Sequence, residues 1–222
     1  MSIKWTWQIR VYKGFSLSAS EHSYIKEVTA HADFSHLSWD SIQTNAMKRI
    51  KKKIYNQLKH EQKGRCAYCG TPIMREPADR EHILPKEKYL KLMFNPYNIV
   101  LSCINCNRNL KGRYDSLAQH INHKRMATSG CLSARYSYES WHPFFHPPEE
   151  HFKYSGSVSK IIKSDTPQGN KHIELFRLSS LKSVEERTQF ALIMEMRQKK
   201  RLKRFMGTID AALDFRNDLG GK

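Results

Sequence analysis

The sequence predicts an α+β fold in which a cysteine-framed central segment lies between an N-terminal strand with a basic helix and a mostly helical C-terminal half. Apolar and polar residues alternate over 3–11, the period-two pattern of a half-buried strand. Apolar residues recur at helical spacing from Ile42 to Leu58 and from Val184 to Leu219. We therefore expect three segments, with the strand and basic helix in 1–62, the cysteines in 63–115, and an aromatic-rich, helical region in 116–222.

The N-terminal segment is expected to end its strand at Gly14 and to run irregularly to about Ser38. A helix then begins, with Asp40 or Ser41 as its N-cap, and Gly64 closes it. The polar face of this helix is strongly basic, since Glu61 is the one acid between Lys48 and Lys63. Such a face is either a solvated surface or a phosphate-binding surface, and the sequence leaves both readings open.

The C-terminal region is expected to begin with a loop rich in aromatics, proline and histidine over 132–156, which leads into a strand near His151–Tyr154. Gly156, Pro167 and Gly169 favour a turn-rich hairpin between Ser155 and Asn170. The last stretch is the predicted helix that ends near Leu219.

The net charge points to a polyanionic partner. The 222 residues include 38 Lys and Arg against 21 Asp and Glu, which gives a formal charge of +17. Nucleic acid is the expected partner, although a basic tail or a docking face for an acidic protein would give the same balance. No apolar run is long enough to span a membrane, and the N-terminus does not have the pattern of a signal peptide, so we expect a cytoplasmic protein without a membrane partner.

Four of the five cysteines form two C-x-x-C pairs. In a reducing compartment such pairs indicate a zinc site, which predicts that one Zn²⁺ is held by Cys66, Cys69, Cys103 and Cys106. Redox or free-thiol pairs are the alternative. Cys131 stands outside any motif and is interpreted as a buried or incidental thiol.

The segment between the two pairs carries residues suited to hydrolysis. His82 follows Glu81, which sets a general base beside a ligand for a hard cation. Asn107, just after the second cysteine pair, offers a second oxygen ligand at the start of a predicted helix. In a strongly basic chain, this set suits metal-assisted hydrolysis of phosphodiester bonds.

The same residues resemble the HNH nuclease motif, the ββα-metal fold with zinc-knuckle framing. The resemblance covers about fifty residues, from Cys66 to Lys111, and is carried by E-H-I-x-P followed by N-x-x-x-L-x-C-x-x-C-N-x-x-x-K. Glu81 stands where Asp is commoner in the family, which keeps a carboxylate but lengthens its arm.

The resemblance implies a role for each matching position. His82 would be the general base, while Glu81 and Asn107 would hold one Mg²⁺ or Mn²⁺. Asn98 would brace the loop that carries His82 through backbone hydrogen bonds, and the four cysteines would hold a structural Zn²⁺. Arg108 and Lys111 would contact phosphate. DNA is the expected substrate, and RNA is left open.

A wider resemblance extends to the HNH subunit (PtuB) of Septu-type antiphage systems. It rests on the basic helix before C-A-Y-C-G, on E-H-I-x-P-K, and on the aromatic segment W-H-P-F-F-H-P-P-E-E-H-F-K-Y-S-G. It implies an effector nuclease that works with an ATPase of the ABC/SMC type (PtuA-like). That family also occurs beside retrons, which adds a retron reverse transcriptase and its RNA–DNA to the expected partners.

Two other functions fit the sequence. A zinc-dependent module could bind nucleic acid with this fold without cutting it. An interaction subunit could dock through the aromatic segment from Tyr136 to Tyr154 and through the C-terminal helix, which is compatible with a nuclease held by its partner.

Overall fold

A computed structural model of the chain describes residues 7–8, 10–11, 13–73, 78–119, 121–155 and 161–219. The fold is α+β, with seven α-helices and two two-stranded antiparallel sheets in these ranges. Within them, none of the helices combines the length and apolar character needed to cross a bilayer.

The N-terminal part is more helical than the sequence predicts. Helix α1 spans Ala19–Ala30, where we expected irregular chain. Its N-terminus is a capping box, in which the Ser18 side chain accepts from the Glu21 backbone while the Glu21 carboxylate accepts from the Ser18 backbone. Two unpaired backbone donors are satisfied in this way, although only Ile25 of α1 is buried.

The basic helix begins later than expected, because a break separates two helices. Helix α2 covers only Ser38–Ser41, and Ile42 is extended. Helix α3 then spans Asn45–Glu61, and its N-cap is Thr44 rather than Asp40 or Ser41. The chain leaves the helix through Lys63 and Gly64, both with positive φ.

Strand β1 (Ala78–His82) and strand β2 (Ile99–Cys103) form an antiparallel hairpin with Glu81 opposite Val100 and His82 opposite Ile99. A 3₁₀ turn lies in the connection over Leu90–Leu92. A π-helix over Asn105–Lys111 follows β2 directly. Side chains of the π-helix reach β1, since Asn107 and Arg108 contact Asp79 and Lys111 contacts Glu81.

The C-terminal part begins with helix α4, which covers His123–Ser129, and helix α5, which covers Pro148–His151. Strand β3 (Lys153–Ser155) pairs with strand β4 (Ile161–Lys163), which confirms the predicted hairpin. The expectation that Pro167 lies in a turn is wrong: it opens helix α6.

Helix α6 runs over Pro167–Leu175 and is capped by Thr166. Proline suits the first turn of a helix, where its missing N–H would be unpaired in any case. The last helix, α7, spans Leu181–Leu219 and confirms the C-terminal helical prediction.

One hydrophobic core joins the hairpin to both flanking regions. It contains apolar residues of α3, β2 and the C-terminal part, among them Ile54, Leu101, Trp141, Phe176 and Ala191. Gln62, the C-cap of α3, connects this helix to β2. Its buried side chain donates a hydrogen bond to the backbone carbonyl of Leu101 and accepts one from the backbone N–H of the same residue. The hairpin is therefore held at a fixed distance from the basic helix.

The predicted strand over 3–11 lies largely outside the described residues, including Ile3, Trp5 and Ile9. Trp7 and Val11 are described and are fully buried, but 7–8 and 10–11 belong to no strand. The backbone carbonyl of Trp7 packs against Gly70 so closely that a Cβ there would lie 2.0 Å from it. Gly70 also has a φ of +74°, so glycine is required for both reasons.

Candidate active site and metal centre

The four cysteines of the two C-x-x-C pairs meet at the end of the β1–β2 hairpin. Their Sγ atoms all lie within 4.8 Å of one another. The Sγ atoms of Cys69 and Cys103 are 3.9 Å apart. Four sulfurs around Zn²⁺ in a regular tetrahedron, each with a Zn–S bond of ~2.3 Å, are separated by ~3.8 Å, which is close to this distance. Among the described residues no other group of three or more His, Cys, Asp or Glu comes together in this way. The cluster fits a metal such as zinc.

Local structure turns these thiols inward. The Cys66–Cys69 pair lies in the turn closed by the bridge between Arg65 and Pro72, and the backbone N–H of Cys106 donates to the Sγ of Cys103. Cys131 lies outside the cluster and is exposed, so of the two interpretations, a buried or an incidental thiol, the structure excludes the first.

His82 ends β1 with its ring buried. Its Nε2 lies 3.0 Å from the backbone carbonyl oxygen of Met93, and Trp39 packs edge-on against the imidazole at 4.7 Å between ring centroids. Burial lowers the pKa of His82 to about 3, so the ring is neutral at physiological pH. Since a carbonyl can only accept, Nε2 carries the proton and Nδ1 is the basic nitrogen of the neutral ring.

Glu81 lies next to it and makes a buried ion pair. Its Oε1 is 2.6 Å from the Nζ of Lys111, the last residue of the π-helix, and both side chains are at least nine-tenths buried. Burial raises the pKa of Glu81 above its ordinary value, and the Lys111 ammonium offsets part of that rise. The sequence predicts Lys111 at a surface phosphate, whereas the structure places its charge inside the protein against Glu81.

Asn107 and Arg108 both reach Asp79, at the other end of β1. The Nδ2 of Asn107 donates to Asp79 Oδ2 over 2.9 Å, and the Arg108 guanidinium donates to both carboxylate oxygens. Burial alone would raise the pKa of Asp79, but these hydrogen bonds outweigh it and the pKa is lowered. Because the side-chain nitrogen of Asn107 donates to Asp79, its side-chain oxygen is the atom that could bind a cation.

Asp79 is absent from the residues singled out in the sequence. Its spacing from Glu81 could have identified it, because residues two apart in a strand lie on the same face of the sheet.

Asn98 is fully buried directly before β2. Its Oδ1 accepts from the backbone N–H of Leu84, and its Nδ2 donates to the carbonyl oxygens of Leu84 and Leu92. The amide thereby joins the segment that follows His82 to the 3₁₀ turn. Its own backbone carbonyl accepts from Ile83, the residue directly after His82.

Most of these side chains line one cavity of about 350 Å³. Its walls include Asp79, Glu81, His82, Asn107 and Arg108. Lys86 also lines it and pairs with Asp40 at 2.8 Å. The cavity thus combines a neutral imidazole, carboxylate and amide oxygens, and cationic side chains at its rim.

Comparison with known proteins extends over most of the chain. It is 23% identical to the Septu protein PtuB of Bacillus mycoides (strain KBAB4) over 217 residues. The chain resembles PtuB. The match covers 91% of this chain and 70% of that PtuB, so it includes the regions on both sides of the hairpin. No family model matches the chain, and no solved structure does.

Proposed function

We propose that the chain is a metal-dependent endonuclease of the HNH type that hydrolyses phosphodiester bonds of nucleic acid, with DNA as the substrate. One observation carries the proposal: a hairpin and the helix after it bring His82, Glu81 and Asn107 to the wall of one cavity. The cysteine cluster lies at the end of the same hairpin, where Zn²⁺ would hold strand and helix together without an open coordination position.

His82 acts as the general base in this proposal. Its ring is neutral, and the bond from Nε2 to Met93 leaves Nδ1 to take a proton from the attacking water. Trp39 and the Met93 carbonyl fix the orientation of the ring. Asn98 supports it indirectly, because its three hydrogen bonds set the path of the chain directly after His82.

Glu81 and Asn107 would hold Mg²⁺ or Mn²⁺. Both ions prefer hard oxygen ligands and accept one or two protein oxygens together with substrate phosphate, so a carboxylate and an amide oxygen beside one cavity fit them. When bound, the cation would neutralise charge on the scissile phosphate and the departing 3′ oxygen, which leaves a 5′-phosphate product. Lys111 balances the charge of Glu81, and Asp79 orients the Asn107 amide.

Arg108 is the proposed phosphate contact at the rim. Its side chain is 63% exposed while Asp79 holds the guanidinium in place. Lys111, by contrast, is assigned to Glu81 and not to substrate.

The resemblance to PtuB supports a place in a Septu-type antiphage system. We propose that the chain is the effector nuclease of a complex with an ATPase of the ABC/SMC type. A retron reverse transcriptase with its RNA–DNA would be a further partner in some settings. The isolated chain is then expected to cleave weakly and to gain its specific target in the complex.

Cleavage of supercoiled plasmid in Mg²⁺ or Mn²⁺ tests the proposal. Wild-type protein should nick the plasmid, His82→Ala should bind DNA but not nick it, and the control His60→Ala, at an exposed histidine, should match wild type. Unchanged cleavage by His82→Ala would refute the assignment of the base. DNA binding without cleavage by wild-type protein, alone and with its ATPase partner, would favour a binding subunit instead.

A further inference from the structure

A basic groove continues from the proposed active-site cavity along helix α3. It has a volume of about 510 Å³ and lies between α2, α3 and β1. Trp39, Asp40 and Arg80 line both the groove and the cavity, so the two spaces share a wall. A chain molecule that passes over His82 can therefore extend into the groove without leaving the surface.

The charge of this groove is unbalanced. Four cations line it, namely Lys48, Lys51, Lys52 and Arg80, against the single acid Asp40. Asp40 is already paired with Lys86 at 2.8 Å. In the described part of the chain, Lys48, Lys52 and Arg80 make no ion pair with any acid.

Arg80 is the most unusual of these groups. Its side chain lies partly buried on β1, and its Nε is buried without a hydrogen-bond partner among the described residues. Burial lowers the pKa of Arg80, as expected for a charge withdrawn from water. A guanidinium left in this state is costly unless an anion reaches it.

The other Lys and Arg side chains of α3 contact groups of the protein itself or lie outside the groove. Lys51 is buried and donates to the backbone carbonyl oxygens of Trp39 and Ile42. Lys53 pairs with Glu21 at 2.6 Å, and Lys59 lies over the ring of Tyr55. Arg49 is exposed but does not line the groove. Lys48 and Lys52, one turn apart, remain exposed at the groove.

We propose that Lys48, Lys52 and Arg80 bind the phosphate backbone of the nucleic-acid strand to one side of the bond that is cut. This assignment rests on the proposed function only for the position of the cut. The half-buried Tyr55 gives the strand aromatic surface to lie against, and the three cations match the negative charge of its backbone. Only part of the basic helix surface is thus a binding face.

The test measures binding separately from cleavage. The full chain carrying His82→Ala is titrated with a short fluorescein-labelled DNA duplex of mixed sequence, and anisotropy gives the affinity over a range of salt concentrations. Lys48→Ala with Lys52→Ala should weaken binding at least about tenfold and make the salt dependence shallower by about two counterions. The control, Lys26→Ala with Arg49→Ala, removes the same charge from exposed sites outside the groove and should keep the slope.

Arg80→Met gives an independent readout. It should weaken DNA binding at least about tenfold while the melting temperature of the free protein stays the same or rises, because a partly buried charge whose Nε has no hydrogen-bond partner among the described residues is removed. A purely structural arginine would instead lose stability.

The outcomes separate the groove from the nuclease. If both groove variants bind like the control while wild-type protein nicks plasmid, the groove is refuted and the nuclease stands. If groove variants lose binding and wild-type protein cuts nothing, either alone or with its ATPase partner, the groove stands as a DNA-binding surface and the nuclease is refuted. A groove that binds only an acidic segment of a partner protein would leave DNA affinity unchanged and would likewise overturn the proposal.

Discussion

The ammonium of Lys111 lies 2.6 Å from the carboxylate of Glu81, and both groups are withdrawn from water. Strand β1 and the π-helix are therefore joined by a buried ion pair directly at the proposed metal site. Removing one partner of a buried ion pair leaves an uncompensated charge in the interior, whereas replacing both partners with neutral residues leaves no buried charge. This difference gives a test of the pair.

Lys111→Met should lower the free energy of unfolding by about 3 kcal/mol, and the double variant Glu81→Gln with Lys111→Met should recover most of that loss. Lys199→Met is the control, since its pair with Glu195 is exposed and worth at most about 0.5 kcal/mol. Urea unfolding followed by circular dichroism measures all four proteins. Equal stability of Lys111→Met and wild type would show that the pair does not form.

Asn98→Ala should destabilise the protein by about 2–4 kcal/mol. The substitution leaves one buried N–H and two buried carbonyl oxygens without their partner. Asn109→Ala, on the exposed side of the π-helix, should change stability by less than about 0.5 kcal/mol. Thermal unfolding of both variants distinguishes them, and a melting point of Asn98→Ala like that of wild type would contradict the buried network.

Zinc content tests the cysteine cluster. Purified protein should carry about one Zn²⁺ per chain, because four thiolates complete a closed tetrahedral site. Cys106→Ser should lose the metal and unfold at lower temperature, whereas Cys131→Ser, at an exposed cysteine outside the cluster, should keep it. Elemental analysis together with melting curves gives both readouts. Full zinc occupancy in Cys106→Ser would place the metal elsewhere.

Acid should destabilise the histidine-rich C-terminal part. Burial lowers the pKa of His146 and of His172 to about 4, and it holds the pKa of His142 well below its ordinary value. The unfolded chain takes up these protons near pH 6.5, so unfolding binds protons and stability falls as the pH drops from about 6.5 towards 4.

His142→Phe isolates one of these groups. Both ring nitrogens of His142 are buried without a hydrogen-bond partner among the described residues, and the ring stacks on Phe145 at 4.4 Å. The variant should therefore be more stable at neutral pH by about 1 kcal/mol and should lose less stability on acidification than wild type. His60→Phe, at an exposed position, should leave the pH dependence of unfolding unchanged. Identical pH profiles for His142→Phe and wild type would contradict this account.

Periodicity in the sequence was sufficient for the C-terminal helix. It predicted a C-terminal helix from Val184 to Leu219, and the helix spans Leu181–Leu219. The two C-x-x-C pairs likewise predicted a cluster, because such pairs in a reducing compartment indicate a shared zinc site, and the four cysteines do lie together. Helix α1 was missed because it buries only Ile25 and shows no apolar stripe, even though the capping pattern of Ser18 and Glu21 is present in the sequence.

The site itself could be predicted only in part. The order of His82, Asn98 and Asn107 marks their place in the hairpin and helix, but not what each side chain touches. Lysines are usually exposed, so nothing in the sequence indicates that Lys111 turns inward, a position that the ion pair with Glu81 stabilises. The sequence also does not indicate which lysines of the basic helix are paired with other groups and which remain exposed, because this depends on tertiary partners such as Glu21, which pairs with Lys53.

The central claim is that Glu81, His82 and Asn107 surround the phosphate that is cut. An anomalous difference map from crystals of the His82→Ala chain with Mn²⁺ and a short DNA duplex tests it directly. We predict a manganese peak between Glu81 and Asn107, in contact with a DNA phosphate that faces the emptied position of the imidazole. Manganese bound away from both residues, with the DNA lying across another surface, would contradict the account.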